Sequence, residues 1–354
     1  MKTFRCTCDN TLFFENSACL RCGAAVGWCP ACEAISALIP DGNGHRCGNA
    51  DCGTALQQCH NYALEKVCNR CVLAPAPTRN GMVLCDCCVY NDTIPDLSVA
   101  GNREKWARLE EAKRRLIYAL DLLGLPREPA AAPHSDGRVA LAFDFKADVI
   151  PQNELWRQMG KGERVYTGHA NGKITINIRE ADPVEREALR VDLGEAHRTL
   201  LGHFRHEIGH YYWDLLVRGR CEAECVALFG NHESPSYAEA LERHYANGAP
   251  PGWEQNYISA YATMHPWEDF AETFACWLDL TGTLDSAHHV GFAHVPDVRS
   301  ADTDTLIAAY RRIGIAMNEM NRTMGLLDYL PDLFVPPVVE KLRFVHQLIL
   351  KAGH

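Results

Sequence analysis

The sequence predicts an α+β chain in two parts: a cysteine-rich region over residues 1–95, and a mainly helical part with a small β-sheet over 96–354. Three observations predict it. Of the 17 cysteines, 14 lie before residue 89, many of them in CxxC pairs set among glycines. Beyond residue 100, apolar residues recur at the 3.6-residue period of amphipathic helices. In the stretch "VYTGHANGKITINI" they alternate instead, as strands require. A chain of 354 residues, 47% of them hydrophobic, can support two or three packed domains.

Taken in order, residues 1–90 show no long helical pattern, and their charges balance, seven Lys or Arg against seven Asp or Glu. "NDTIPDLSVAGN" bridges to a different composition. "NREKWARLEEAKRRLIYALDLLGLP" reads as an amphipathic helix with Trp106, Leu109, Leu116, Ile117, Leu120 and Leu123 on one face, stopped by Gly124 and Pro126. "REPAAAPHSDG" is a connection and "RVALAFDF" a strand. "VYTGHANGKITINI" reads as a hairpin turning at Asn171-Gly172, with Ile174, Ile176 and Ile178 on one face. Asp182-Pro183-Val184-Glu185 begins a helix, with Asp182 as N-cap. That helix is expected to run on, with a break near Gly194, through "LLGHFRHEIGHYYWDLL". The remainder reads as mostly helical, ending in "EKLRFVHQLILKAG".

In a reducing compartment, dense CxxC pairs read as metal ligands. Tetrahedral zinc takes four thiolates from two short knuckles. Cys6, Cys8, Cys19 and Cys22 form one such set, and Cys29, Cys32, Cys47 and Cys52 a second. The third is open, since Cys59, Cys68, Cys71, Cys85, Cys87 and Cys88 offer six thiols for four places. "WCPAC" also matches a thioredoxin-like redox motif, but such a motif needs a strand before it and a helix after it, and here the flanks are glycine-rich and two more cysteines lie downstream. Sites with four protein ligands leave no position for water, so these ions are structural. Cys221, Cys225 and Cys276 read as buried small hydrophobes.

His206-Glu207-Ile208-Gly209-His210 places two imidazoles one helical turn apart on one face, so both can reach a single ion. Glu207 beside them can take a proton from water that the metal activates, the logic of HExxH zinc hydrolases. Gly209 costs about 1 kcal/mol inside a helix, which a closely approaching backbone, or space at the metal, would explain. A third ligand must come from elsewhere. Trp213 and Leu216 stand where the metzincin pattern needs Gly and His. In "YATMHPWEDFAETFACWLDL", Glu268 and Glu272 lie one turn apart on an otherwise apolar helix that Pro266 can open. Carboxylates there need a partner, and a metal with its histidines provides one. His169, on the hairpin, reads as structural or solvent-facing, while the strand after Asn171-Gly172 offers an edge to an extended peptide.

"GHFRHEIGHYYWD" with "HPWEDFAETFA" resembles the bacterial zinc-binding metallopeptidase family that carries an N-terminal zinc ribbon. "CTCDNTLFFENSACLRCG", "TIPDLS" and "TGHANGKITINI" resemble that family's other recurrent stretches, so the likeness covers nearly the whole chain. The catalytic part is similar to gluzincins of the lethal-factor and Mlc-titration-factor type, which implies a zincin-like fold. That resemblance implies Glu268 as third zinc ligand, Tyr261 as hydrogen-bond donor to the oxyanion, and Glu272 as the carboxylate orienting a ligand histidine. It also points to Cys59, Cys68, Cys85 and Cys88 for the third quartet, while Cys29 and Cys32 look like an addition to the family's pattern. One catalytic and two or three structural zinc ions follow.

A net charge of −10 disfavours binding to nucleic acid or to an anionic membrane, because both need clustered positive charge. No run of about 18 apolar residues is present, and "MKTFRCTCDNTLFF" lacks the apolar core of a signal peptide. The expected setting is therefore the cytoplasm, and the expected activity is peptide hydrolysis on a peptide or protein substrate. One alternative is a zinc-ribbon regulator that binds protein or nucleic acid and whose zincin-like part does not turn over. Another is a zinc hydrolase of non-peptide amides.

Overall fold

The computed structural model describes residues 1–129, 140–148, 165, 167–186, 199–328, 330 and 334–353. Two compact units emerge. The first comprises Met1–Arg115, Ala142–Thr167 and Thr175–Asp192, and the second Leu116–Leu141, Gly168–Ile174 and Leu193–His354. The α+β class expected from the sequence holds, with strands concentrated in the cysteine-rich region and helices in the C-terminal part.

The first unit opens with a two-stranded ladder, β1 (Phe4–Arg5) and β2 (Thr11–Leu12). A five-stranded antiparallel meander follows, of β3 (Val26–Cys29), β4 (Ala34–Asp41), β5 (Gly44–Cys47), β6 (Ala55–Gln58) and β7 (Cys71–Leu73). Its apolar content is small: Val26, Trp28, Ile35, Leu38 and Leu56 are buried. Phe4 and Phe14 pack edge-on against Trp28 at 6.2 and 5.6 Å. So thin a core needs staples beyond hydrophobic burial, and the cysteine knuckles sit at the strand ends. β8 (Asn91–Thr93) pairs in parallel with β9 (Ala142–Lys146). The expected strand "RVALAFDF" thus starts later than its sequence suggests. Leu141 makes only an isolated bridge, and residues 138 and 139 lie outside the described residues.

Helix α1 (Asn102–Leu122) buries Trp106, Leu109, Leu116, Ile117, Leu120 and Leu123, the face expected from its periodicity. It also buries Glu110, Lys113 and Arg114, which periodicity alone would send to solvent. Strands β10 (Gly168–Ala170) and β11 (Lys173–Asn177) form the expected hairpin. Asn171 (φ 49°) and Gly172 (φ 79°) both take positive φ, as a tight primed turn demands. Asp182 caps a helix start, accepting from Val184 N at 2.9 Å and Glu185 N at 3.3 Å. The predicted continuation and its break near Gly194 lie outside the described residues, as does most of the 127–137 connection.

The second unit is helical: α2 (Leu200–Tyr212), α3 (Glu222–Phe229), α4 (Tyr237–Asn247), α5 (Pro266–His289), α6 (Thr303–Thr323) and α7 (Pro336–Ala352). Helix α2 begins anew at Thr199, whose hydroxyl accepts from Gly202 N at 2.9 Å, and it runs into a wider π-helical turn over Trp213–Val217. Helices α2 and α5 pack along each other; Phe204, Ile208 and Tyr212 of the first and Phe270 and Phe274 of the second are all fully buried. Tyr212 and Phe274 stack at 5.1 Å. Each such side chain contributes about 1.5–3 kcal/mol by leaving water, so the pairing of these two helices is firmly set. Cys225 is buried as expected, but Cys276 and Cys221, the latter at the N-cap of α3, are only part-buried. Among the described residues no helix is long and apolar enough to cross a membrane.

Candidate metal centres

Among the described residues, four groups of side chains converge tightly. Three are cysteine quartets: Cys6, Cys8, Cys19 and Cys22; Cys29, Cys32, Cys47 and Cys52; and Cys59, Cys68, Cys85 and Cys88. Paired sulfurs lie 3.7 Å (Cys6–Cys22) and 3.6 Å (Cys8–Cys19) apart in the first. The Cys29–Cys52, Cys32–Cys47 and Cys68–Cys85 pairs are each at 3.8 Å. A disulfide would hold its sulfurs at about 2.05 Å. Four thiolates at about 2.3 Å from a tetrahedral zinc would stand about 3.8 Å apart. The quartets therefore fit zinc and do not fit disulfides. The pair Cys29 and Cys32 joins Cys47 and Cys52 in a full quartet, and Cys71 and Cys87 are the two thiols left over. Cys71 is turned away because β7 seats it against Gly27. Cys87 sits buried beside Arg70.

The fourth group is His206, His210 and Glu268. Helical spacing on α2 brings the two imidazoles together edge to face, 4.8 Å apart, and α5 presents Glu268 from its first turn. Pro266 opens α5, and the His265 side chain caps it by accepting from Trp267 N at 3.2 Å. His206 Nε2 lies 3.2 Å from His210 Nε2 and 2.9 Å from Glu268 Oε2. His210 Nε2 lies 3.4 Å from Glu268 Oε1. Ligand atoms about 2.0–2.1 Å from a tetrahedral zinc would be about 3.3 Å apart.

Around this triad hydrogen bonds hold His206 and Glu268, whereas His210 Nδ1 is buried without a hydrogen-bond partner. Glu272 Oε1 accepts from His206 Nδ1 at 2.6 Å, which leaves the Nε2 lone pair facing the triad's centre. Glu272 Oε2 in turn accepts from Ser259 Oγ at 2.7 Å. Tyr237 donates to Glu268 Oε1 at 3.1 Å. The Trp267 ring lies 3.8 Å from that of His210. Tyr261 is near, its ring 5.9 Å from that of His206. His169 stands 6.4 Å from the His210 ring, and its Nε2 accepts from Gly172 N at 3.0 Å, a hairpin contact.

Electrostatics agree with a cation at the centre. Burial opposes a charge on His206, yet the carboxylates of Glu268 and Glu272 outweigh it and raise its pKa well above the ordinary value. Two imidazole lone pairs and a carboxylate pointed at one another repel unless positive charge lies between them. That donor set, nitrogen and oxygen in a buried pocket, suits zinc. Glu207 is 8% exposed, and its Oε2 has no hydrogen-bond partner. Burial raises its pKa, an effect that His206 and His210 partly offset.

Tyr237, Ser259 and Trp267 have no signature in the sequence, because tertiary folding alone brings them to the triad. Gly209 is explained by geometry. A Cβ there would meet Ala271 Cα at 2.9 Å and Ala271 O at 3.0 Å, both backbone atoms of α5. Gly209→Ala should therefore destabilise the protein by about 1–3 kcal/mol through overpacking, despite about 1 kcal/mol of better helix propensity. Thermal or urea melting reads this directly. A more stable variant would contradict the close approach.

Comparison with known proteins follows the same division. The pattern of a family described as "Putative zinc-binding metallo-peptidase" matches residues 102–348, and that of a "zinc-ribbon domain" matches residues 3–99. An uncharacterized protein of Mycobacterium tuberculosis is 38% identical over 359 residues, covering 99% of this chain and 95% of its own. One from Mycobacterium bovis matches to the same extent. No solved structure matches. The chain belongs to the zinc-binding metallo-peptidase family, with a zinc-ribbon region ahead of the peptidase part.

Proposed function

We propose that the chain is a gluzincin-type zinc metallopeptidase: His206, His210 and Glu268 hold a catalytic zinc, and Glu207 moves the proton. We read residues 1–95 as the ribbon, with a structural zinc in each cysteine quartet, and 96–354 as the catalytic part. The observation that carries the reading is the convergence of two imidazoles and a carboxylate at zinc spacing, beside a buried glutamate whose Oε2 makes no hydrogen bond.

A zinc ion held there supplies positive charge that acidifies water and polarises the scissile carbonyl. Glu207 takes the proton from water and returns it to the leaving amine; a glutamate whose pKa is raised by burial suits both halves of that transfer. Tyr261 is kept protonated by burial and by Glu268, so it stays an O–H donor to the developing oxyanion. Glu272 keeps the His206 ring oriented and its tautomer fixed, and Ser259 keeps Glu272 in place. Tyr237 plays that part for Glu268.

The test is metal stoichiometry. Elemental analysis of the wild type should give four zinc ions per chain, one for each converging group. A His206→Ala, His210→Ala double variant should lose one of them and all peptide cleavage. An unchanged count in that variant would remove the catalytic site from the proposal and leave the ribbon ions alone.

A further inference from the structure

The third cysteine quartet differs from the other two in its surroundings. Cys59, Cys68, Cys85 and Cys88 are all buried, whereas Cys22 of the first quartet is exposed and Cys32 and Cys52 of the second are part-exposed. Four thiolates around a divalent ion carry a net charge of about −2. At the outer quartets water can screen that charge, but at the third it cannot. Backbone N–H groups answer part of it. Arg70 N donates to Cys68 Sγ, Cys85 N to Cys59 Sγ and Cys88 N to Cys85 Sγ, each at 3.4 Å.

The rest of the surroundings is charged. Lys113 is fully buried, and Arg70 and Arg114 nearly so. Each lies within electrostatic reach of third-quartet thiolates. Nε and Nη1 of Arg70 and Nε of Arg114 are buried without any hydrogen-bond acceptor. A buried cation with idle donors is costly unless a nearby anion holds it. Glu110, also fully buried, lies 4.0 Å from Cys88 Sγ and accepts from Lys113 Nζ at 2.9 Å and Trp106 Nε1 at 3.0 Å.

We propose that Lys113, Arg114 and Arg70 form a cationic cage that neutralises a dianionic zinc tetrathiolate at the third quartet, so that helix α1 completes the ribbon's last metal site. Three positive charges balance the dianion and the Glu110 carboxylate, and Asp86, which pairs with Arg70 at 2.8 Å, is exposed, so that water screens it. Two of the three cations lie beyond residue 99, inside the peptidase pattern rather than the ribbon pattern. The ribbon's third site thus depends on a helix outside the ribbon. This inference rests on the reading that the quartet binds zinc.

The experiment follows zinc release from the full-length, zinc-loaded protein under excess chelator and iodoacetamide, with alkylation of each cysteine mapped by peptide mass spectrometry. In Lys113→Met, Cys59, Cys68, Cys85 and Cys88 should become alkylated at least about tenfold faster than in wild type, as loss of a close charge in a poorly screened site implies. Cysteines of the first two quartets should keep their rates. Lys113→Arg should behave as wild type, and Arg70→Gln should move the same way as Lys113→Met. Equal acceleration in Lys113→Met and Lys113→Arg, or none in Lys113→Met, overturns the cage. A Lys113→Met chain that fails to fold while Lys113→Arg folds supports it; failure of both overturns it. A wild type whose third quartet alkylates as fast with zinc as without defeats the zinc reading itself, a distinct outcome.

Discussion

Glu207→Gln should lower kcat/KM for peptide cleavage by about 10²- to 10⁴-fold, the usual contribution of a positioned general base, while zinc content stays unchanged. The substitution is nearly isosteric, and none of the three candidate ligands is altered. What disappears is the ability to take up a proton on a buried carboxylate whose Oε2 makes no hydrogen bond. The pH profile gives a second readout. A base acts only when deprotonated, so activity should rise with pH through the pKa of Glu207. Burial raises that pKa, while the imidazoles, and zinc when bound, lower it. The acid limb should be present in wild type and missing in the residual activity of the variant. Wild-type turnover in Glu207→Gln would end the mechanism, whatever the metal content.

Removing a structural zinc should have an effect of similar weight on folding. A structural zinc contributes about 10–16 kcal/mol to small cysteine-rich folds, and whole domains are stable by only about 5–15 kcal/mol. The meander β3–β7 buries few large side chains, so it has little to set against that loss. Cys47→Ser removes one ligand from a quartet whose sulfurs span the ends of β3 and β5. The expected result is one zinc fewer per chain and rapid proteolytic cleavage within residues 1–95. Full zinc content with wild-type protease resistance would mean that the second quartet holds no essential ion.

Much of this arrangement can be read from residue spacing, and the limit of that reading is physical. The knuckles at Cys6 and Cys8, Cys19 and Cys22, and Cys29 and Cys32 are local, as are the i, i+4 histidines and the Asn171-Gly172 turn, so short patterns reveal them. Six thiols between Cys59 and Cys88 defeat spacing alone, because strand pairing decides which four converge and leaves Cys71 against Gly27. On α1 the apolar stripe is legible, but Glu110, Lys113 and Arg114 are not. Periodicity treats charge as a sign of solvent, and it cannot see a counter-charge that comes from another part of the chain. Tyr237 and Ser259 fail for the same reason. Their role exists only once α4, the segment before α5 and the first turns of α5 are brought together.

The contact between Gly209 and Ala271 has a bearing on how the triad is held. Where two helices touch through main-chain atoms, no rotamer change can widen the gap between them. That contact fixes the spacing of the backbones that carry His206, His210 and Glu268, and leaves side-chain rotation to set the distances between their ligand atoms. Two imidazole nitrogens and one carboxylate suit zinc, whereas calcium prefers six or more oxygens. A methyl group at position 209 would disturb this spacing before it touched any ligand.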